Sequence, residues 1–537
     1  MSLLTPKNSR QVCESDATSA HACISEKTES ICEHSRAQAE EIAARKAPSA
    51  PANSAELHPG EYVYGACETV GRSVRAGNLW VEEPVAYDAV ILASFGGPDG
   101  QADVVPFLRN VTAGRGIPDE RLEEVAVHYR LNGGVSPINE QNMRLREALE
   151  EELNSRGFTI PVYLGNRNWA PYTHEAVEEA YRAGHRTLLA VTTSAYSGYS
   201  SCRQYREDFA NALEHTGLRG AVTVDKIREY FNHPGFLTPF IEDLTQAYVR
   251  LLEEGHAPKN IEVLFTTHSI PCADNARSGP NMREVLAGSV SKNTVAGIDS
   301  ISERVVAGID SVSECAASTH GTIPEHVPSD VGSEPEYTTT SVVHHNAGSK
   351  DCVDSIHSCT TTIEDVVAAC QEYGLYVQQH REAIDAVRGE VENRVGQRLN
   401  YRLVYQSRSG PPHVPWLEPD INDVIEELPG QGRTAVVVVP IGFVSDHMEV
   451  LWDLDNEARA TAAKCGLAFI RTATPELNPM FIRGLADLVE ERLKGTSRAQ
   501  RPALTPLGPA PDICPAGSCR HSRRPEAPAI AGIPSEI

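Results

Sequence analysis

Apolar runs of strand length alternate with amphipathic stretches of helix length from residue 87 onwards. The strand-like runs of the first half are YDAVILASFGG, PVYLGNRN and RTLLAVTTSAYS, and its helical stretches are DERLEEVAVHYRL, NEQNMRLREALEEELNSRG and THEAVEEAYRAG. Strands that alternate with helices of about ten to fifteen residues indicate a parallel α/β sheet. We therefore predict a first α/β half over about residues 87–240.

A second α/β half follows at about residues 255–495. Its strand-like runs are IEVLFTTHSIP, LNYRLVYQSRSG, TAVVVVPIGFVSDH and GLAFIRTATPELN, and a helical stretch, NPMFIRGLADLVEERLKG, closes it. Sequence rich in Ser, Thr and Gly interrupts this half after HSIP, and within it VAGIDSISE recurs as VAGIDSVSE eleven residues later. Two copies do not make a solenoid, so we predict a disordered surface insertion.

The pattern divides the chain into four parts. These are a disordered extension at 1–85, an N-terminal domain at 86–245, a C-terminal domain at 246–497 with its insertion at about 282–368, and a flexible tail with a cysteine pair at 498–537.

Composition restricts the class of protein. The chain has 537 residues, of which 41% are hydrophobic and 23% charged, as in soluble globular proteins. The formal net charge of −25 argues against a nucleic acid partner, because a chain this acidic repels phosphate. We find neither a run of eighteen apolar residues nor a secretory h-region, so we expect no membrane span and a cytoplasmic location.

Two strand ends carry candidate chemistry. IEVLFTT leads into His268, and TAVVVVPIGF leads into a segment that contains His447 and Glu449. Ligands of open parallel sheets bind at the carboxyl ends of strands, so His268 and Glu449 face one crevice if both strands share a sheet. A lone histidine after a strand is more often a packed or capping residue, and we assign His447 to structural support.

An acidic ladder begins at Glu449. With Asp453 and Glu457 it occupies positions i, i+4 and i+8, which is one face of a helix. Like charges at that spacing repel unless a cation intervenes. The alternative is a solvated acidic face, but the start of the ladder at a strand end favours a cation path. Carboxylates and imidazole together suit divalent metal ions.

These stretches resemble the ferrochelatase family, most closely its bacterial coproporphyrin III type. The match covers about residues 87–282 and 370–495, and it rests on LASFGGP, HYRLNGGVSPIN, VYLGNRNWAPYTHEAV, SCRQYRED, TTHSIP, VYQSRSGPPHVPWLEPDI and PIGFVSDHMEVLWDLDNEA. The resemblance implies two Rossmann-like domains, each with a four-stranded parallel sheet flanked by helices, and a porphyrin in the cleft between them.

The resemblance also implies roles for single residues. His268 and Glu449 map to the catalytic and metal-contacting pair, Asp453 and Glu457 to a metal or proton relay, and Ser136 and Tyr205 to porphyrin binding. The implied reaction inserts Fe²⁺, the substrate metal, into coproporphyrin III, and relatives are often monomers. Two alternatives stay open: insertion into protoporphyrin IX, or a haem or metal carrier without catalysis.

Some relatives hold a [2Fe–2S] cluster on one internal and three C-terminal cysteines. Cys202 occupies the internal position, and Cys514 and Cys519 resemble part of the C-terminal group. A cluster of this kind normally takes four thiolates, so the fourth ligand is missing or unconventional. The alternative is an ordinary thiol pair, because the thirteen scattered cysteines indicate reduced thiols.

Overall fold

The computed structural model describes only part of the chain. The described residues are 63–64, 79–114, 116–279, 374–410, 413–514, 518–520 and 527–532. The predicted insertion at about 282–368, most of the predicted N-terminal extension and parts of the tail lie outside them.

The described strands form two four-stranded parallel sheets and one two-stranded parallel pair. The strands are β1 (Val63–Tyr64), β2 (Ala89–Ser94), β3 (Val162–Asn166), β4 (Thr187–Thr192), β5 (Thr223–Lys226), β6 (Ile261–His268), β7 (Asn400–Gln406), β8 (Ala435–Val439), β9 (Ala468–Arg471) and β10 (Ala529–Ile530). Their orders are β3-β2-β4-β5 in the first sheet, β7-β6-β8-β9 in the second and β1-β10 in the pair. The predicted fold of two parallel four-stranded sheets is confirmed.

Helices connect and cover the strands. They are α1 (Val104–Val111), α2 (Asp119–Leu131), α3 (Ile138–Ser155), α4 (Thr173–Arg182), α5 (Gln204–His215), α6 (Pro234–Glu253), α7 (Cys272–Ala276), α8 (Leu375–Val395), α9 (Ile421–Glu427), α10 (Met448–Val450), α11 (Arg459–Lys464) and α12 (Pro479–Lys494). Two π-helices lie at Tyr199–Arg203 and Leu451–Ala458. No helix in the described ranges has the length and apolar character to cross a membrane. The cytoplasmic location, the monomeric state and the domain boundaries stay predictions.

Burial on both faces explains the composition of the central strands. All six residues of β2, AVILAS, are buried, and so are all five of β8, AVVVV. A strand covered by helices on both faces reads as a continuous apolar run, whereas a half-exposed strand alternates. This is why the pattern in the sequence identifies these two strands so clearly.

The register of the second sheet brings the candidate residues to one edge. β6 pairs in parallel with β7 on one side and with β8 on the other, and His268 lies opposite Gln406. His268 ends β6, and the segment that carries Glu449 follows β8. Both side chains therefore lie at the carboxyl edge of the same sheet, as the sequence predicts.

The part of the tail that the structure describes packs against the fold, and so does the described end of the predicted extension. Val81 is fully buried, as is the Arg501 side chain, and Asp512 is 4% exposed. Arg501 Nη1 donates to Asp512 Oδ2 at 2.7 Å, and Asp512 Oδ2 also accepts from Val81 N at 2.7 Å. The charges in the tail can be buried because they neutralise one another, a pairing that composition does not show.

Candidate active site

His268 is half-buried at the end of β6, and a hydrogen bond holds its main chain in place. Tyr376 donates its hydroxyl hydrogen to the carbonyl oxygen of His268 at 3.0 Å. The Nδ1 atom of His268 lies against the carbonyl oxygen of Ser269. Because that oxygen only accepts, Nδ1 carries the proton of the neutral ring and Nε2 keeps its lone pair.

Glu449 faces that lone pair from the helix that follows β8. Its Oε2 atom is 3.7 Å from His268 Nε2, and the two side chains are 44% and 33% exposed. This distance is too long for a hydrogen bond, so both atoms remain available to a third group placed between them. The expectation that the two residues share a crevice agrees with this geometry.

His447 supports the helix that carries Glu449. Its Nδ1 accepts a hydrogen bond from the main-chain N of Glu449 at 3.2 Å, which caps α10. Its ring packs edge-on against Phe443, with centroids 5.1 Å apart. Burial lowers the pKa of His447, and the charge of Glu449 opposes this in part; the lowered pKa favours the neutral ring, whose Nδ1 can accept. This is the supporting position that the sequence predicts.

The acidic ladder continues along a π-helix and not along the regular α-helix that its spacing suggests. Glu449 and Asp453 are partly buried, whereas Glu457 is exposed. Trp452 Nε1 donates to Glu457 Oε1 at 2.8 Å, and the two residues are five positions apart, as expected for the wider turn. The three carboxylates thus form a row from the site to the surface.

Asp453 is the acid of this row whose ionisation is most strongly perturbed. Burial raises its pKa to about 7, and the charges of Glu449 and Glu457 add to the rise. Hydrogen bonds from the Ser407 hydroxyl and from Gln406 Nε2, the latter at 3.3 Å, oppose it. A carboxyl group with this pKa can gain and lose a proton near neutral pH.

Gln406 and Ser407 also lie at this edge, although the sequence pattern does not single them out. Both come at the end of β7, and Gln406 lies directly beside His268 in the sheet. Ser407 has a positive φ of 62°, which a non-glycine residue seldom adopts. The rule that ligands bind at the carboxyl ends of parallel strands would have found them if applied to every strand.

The first half of the chain contributes Tyr129 and His128 from α2. Burial raises the pKa of Tyr129, as do the charges of Glu449 and Asp453. The ring of His128 stacks on that of Trp452, with centroids 4.2 Å apart and an angle of 8° between the planes. The spacing of residues along the sequence does not indicate this contact, because it joins a helix of the first half to the π-helix of the second half.

Ser136 and Tyr205 lie away from solvent, in the first half of the chain. Ser136 is 4% exposed and Tyr205 is 6% exposed. The Tyr205 ring packs in the apolar core of the first sheet, and the guanidinium of Arg167 lies 4.2 Å from its centroid. Their assignment to porphyrin binding stays a prediction.

The predicted cysteines gather in a second, buried cluster. Three ligand atoms lie within 4.8 Å of one another, one each from Cys202, Cys514 and Glu229. Cys519, also buried, accepts a hydrogen bond at Sγ from the main-chain N of Gly279 at 2.8 Å. Two thiols and a carboxylate at this spacing, with the buried Cys519 thiol near enough to interact electrostatically with Cys514, fit an iron–sulfur centre, since thiolates are its usual ligands.

Comparisons with known proteins show which family the chain resembles. The family named Ferrochelatase matches residues 87–300 and 333–493. A protein of Leifsonia xyli subsp. xyli, named coproporphyrin III ferrochelatase, is 46% identical over 456 residues, which are 84% of this chain and 96% of the relative. Proteins with that name from Tropheryma whipplei (strain Twist) and Streptomyces griseus subsp. griseus are 44% and 42% identical, over 83% and 85% of this chain and 92% and 98% of the relatives. The chain therefore belongs to the ferrochelatase family.

Proposed function

We propose that this protein inserts Fe²⁺ into coproporphyrin III and so forms Fe-coproporphyrin III. The observation that carries the proposal is the pair of open ligand atoms, His268 Nε2 and Glu449 Oε2, at 3.7 Å. A row of carboxylates leads from this pair to the surface. The relatives named above support the choice of ring.

Insertion requires that the ring lose its two pyrrole protons. Nε2 of His268 can accept such a proton, because a neutral imidazole is a base near pH 7. The positive charge that results lies beside Glu449, whose carboxylate stabilises it. The hydrogen bond from Tyr376 to the His268 carbonyl keeps the main chain of this base in place.

Insertion also requires that the iron lose water. Glu449 can bind the ion through oxygen as water leaves, since carboxylates are suitable ligands for divalent iron. Asp453 and Glu457 then carry protons or metal between Glu449 and solvent, and Glu457, at the far end of the row, is exposed. The Asp453 pKa of about 7 allows proton transfer in either direction at neutral pH.

The test of this proposal is anaerobic Fe²⁺ insertion with coproporphyrin III and protoporphyrin IX measured side by side. We expect coproporphyrin III to be consumed faster, by on the order of tenfold or more in kcat/KM. Glu449→Gln should remove activity with the preferred ring, whereas Glu426→Gln, an exposed acid on α9, should not. A preference for protoporphyrin IX would overturn the choice of ring, and binding without insertion would indicate a carrier.

The titration of Asp453 predicts a pH dependence. Because its pKa is raised to about 7, the group is neutral below that pH and ionised above it. A relay group must be ionised to accept a proton, so kcat/KM should rise as the pH passes through about 7. The Ser407 hydroxyl donates to this carboxylate and lowers its pKa. Ser407→Ala should therefore move the rising limb to higher pH, as measured by kcat/KM against pH.

Ser409→Ala is the matched control for this prediction. Ser409 is an exposed serine two positions further along the same loop. Its replacement should leave the pH profile in place. If Ser407→Ala and Ser409→Ala give the same profile as the unchanged protein, Asp453 is not the group that limits the rate.

We also propose that Cys202, Cys514 and Cys519 hold a [2Fe–2S] cluster. Such a cluster supplies one-electron redox chemistry when bound. The contact with Cys202 lowers the pKa of the Cys514 thiol, and the guanidinium of Arg206, buried beside the thiols, lowers it further. Anaerobically prepared protein without iron, labile sulfide or iron–sulfur absorption would contradict this proposal.

A further inference from the structure

We infer that Glu229 is the fourth ligand of this cluster and binds iron through a carboxylate oxygen. The inference rests on the cluster proposed above. Glu229 follows β5 and is 4% exposed, so its carboxyl group is held inside the protein. Its oxygen belongs to the same group of closely spaced ligand atoms as the sulfurs of Cys202 and Cys514.

Glu229 and Cys202 are in direct contact. Cys202 Sγ donates its hydrogen to Glu229 Oε1 at 2.7 Å. A thiol gives up its proton when it binds iron, so metal binding would remove this hydrogen bond. Oε1 would then keep its ion pair with Lys226 but lose the thiol partner on the side of the metal, and coordination replaces that partner.

Two buried cations, Lys226 and Arg206, lie near the thiols. Lys226 Nζ lies 3.1 Å from Glu229 Oε1, and both side chains are 5% exposed. Arg206 is buried as well, and none of the described carboxylates forms an ion pair with it. An oxidised [2Fe–2S] core with three thiolates and one carboxylate has a net negative charge of two units, which these two cations would offset.

Other described side chains near the thiols do not fit the fourth position. Asp512 lies two residues before Cys514, but its Oδ2 accepts from Arg501 Nη1 and from Val81 N, each at 2.7 Å. Cys272, Cys465 and Cys519 all lie outside the group formed by Cys202, Cys514 and Glu229, but the Cys519 thiol interacts electrostatically with that of Cys514. A cysteine outside the described residues is the rival ligand, and the experiment below separates it from Glu229.

The experiment compares the full-length protein with Glu229→Gln and Glu229→Cys after anaerobic reconstitution with iron and sulfide. Iron and sulfide content, visible absorption and the electron paramagnetic resonance spectrum of the reduced cluster are measured. Glu229→Gln should lose iron to a chelator about tenfold faster or more. Glu229→Cys should keep the cluster but with a changed resonance spectrum, because a fourth sulfur replaces oxygen at one iron.

Glu207→Gln is the control for the loss of a buried acid. Glu207 is 5% exposed and its Oε1 accepts from Arg203 Nε at 2.8 Å, so its replacement disturbs a comparable ion pair. This variant should retain a cluster with the unchanged spectrum.

Two results would overturn the inference. One is a Glu229→Gln protein with the iron content, spectrum and chelator resistance of the unchanged protein. The other is a Glu229→Cys protein whose resonance spectrum matches the unchanged protein, which tests the ligand even if Glu229→Gln does not fold. Absence of a cluster from every variant would instead overturn the cluster itself, and Fe²⁺ insertion into porphyrin is measured separately.

Discussion

Replacement of His268 with alanine is expected to lower the rate of Fe²⁺ insertion by about 10²- to 10⁴-fold. The imidazole offers a nitrogen lone pair 3.7 Å from Glu449 Oε2, and alanine leaves no base at this position. Binding of the tetrapyrrole should change little, because a ligand of that size makes many more contacts than one imidazole supplies. Anaerobic kinetics give kcat, and quenching of porphyrin fluorescence gives Kd.

His413→Ala is the matched control for this prediction. His413 lies in an exposed turn of the same half of the chain, so its loss should leave kcat unchanged. A His268→Ala protein that keeps more than about a third of the kcat would show that another group takes the pyrrole proton. A parallel loss of kcat and of tetrapyrrole affinity would assign His268 to binding.

The pairing of His268 with Glu449 could be predicted because it follows from one local rule. Each residue comes directly after a buried apolar strand, and β6 and β8 are neighbours in a parallel sheet. Strand ends in a parallel sheet lie at one edge whatever the details of the helices. A sequence pattern with period two or with a continuous apolar run is therefore enough to place these side chains.

The approach of α2 to the acidic row could not be predicted in that way. The stack of His128 on Trp452 joins helical segments from the two different α/β halves. The π-helix at Leu451–Ala458 is a second case, because ordinary helix propensities do not distinguish its wider turn from an α-helix. Both features depend on how two surfaces meet, and a single sequence does not encode that as a local pattern.

The packing of the described part of the C-terminal tail could not be predicted, because composition does not show which charges are paired. Its proline and arginine content indicates flexibility when each residue is considered alone. In the fold, Arg501 lies within a buried network of three arginines and three acids: Arg228, Arg492, Arg501, Asp225, Glu491 and Asp512. Equal numbers of opposite charges make burial of the network tolerable, and the partners come from distant parts of the chain.

Arg492 joins more segments than any other member of this network. Its Nη2 donates to Asp225 Oδ2 at 3.0 Å and contacts the Tyr87 hydroxyl, and its Nη1 donates to the Lys226 carbonyl at 3.2 Å. Nη1 also lies 3.6 Å from Asp512 Oδ1, and the Arg492 side chain is 2% exposed. One guanidinium thus links α12 to β5, to the segment before β2 and to the tail.

Arg492→Met should lower the free energy of unfolding by about 3–5 kcal/mol, because it leaves the Asp225 carboxylate buried without its cation. Urea unfolding followed by circular dichroism measures this change. Lys494→Met on the same helix is the control: Lys494 is 58% exposed, forms an ion pair with Glu490 and lies 5.6 Å from the centroid of the Phe158 ring, so about 1 kcal/mol or less is expected. The double variant Arg492→Met/Asp225→Asn should recover part of the loss, since the unpaired charge is removed. If Arg492→Met and Lys494→Met lower the free energy of unfolding equally, the network does not stabilise the packing of the tail and of the segment before β2.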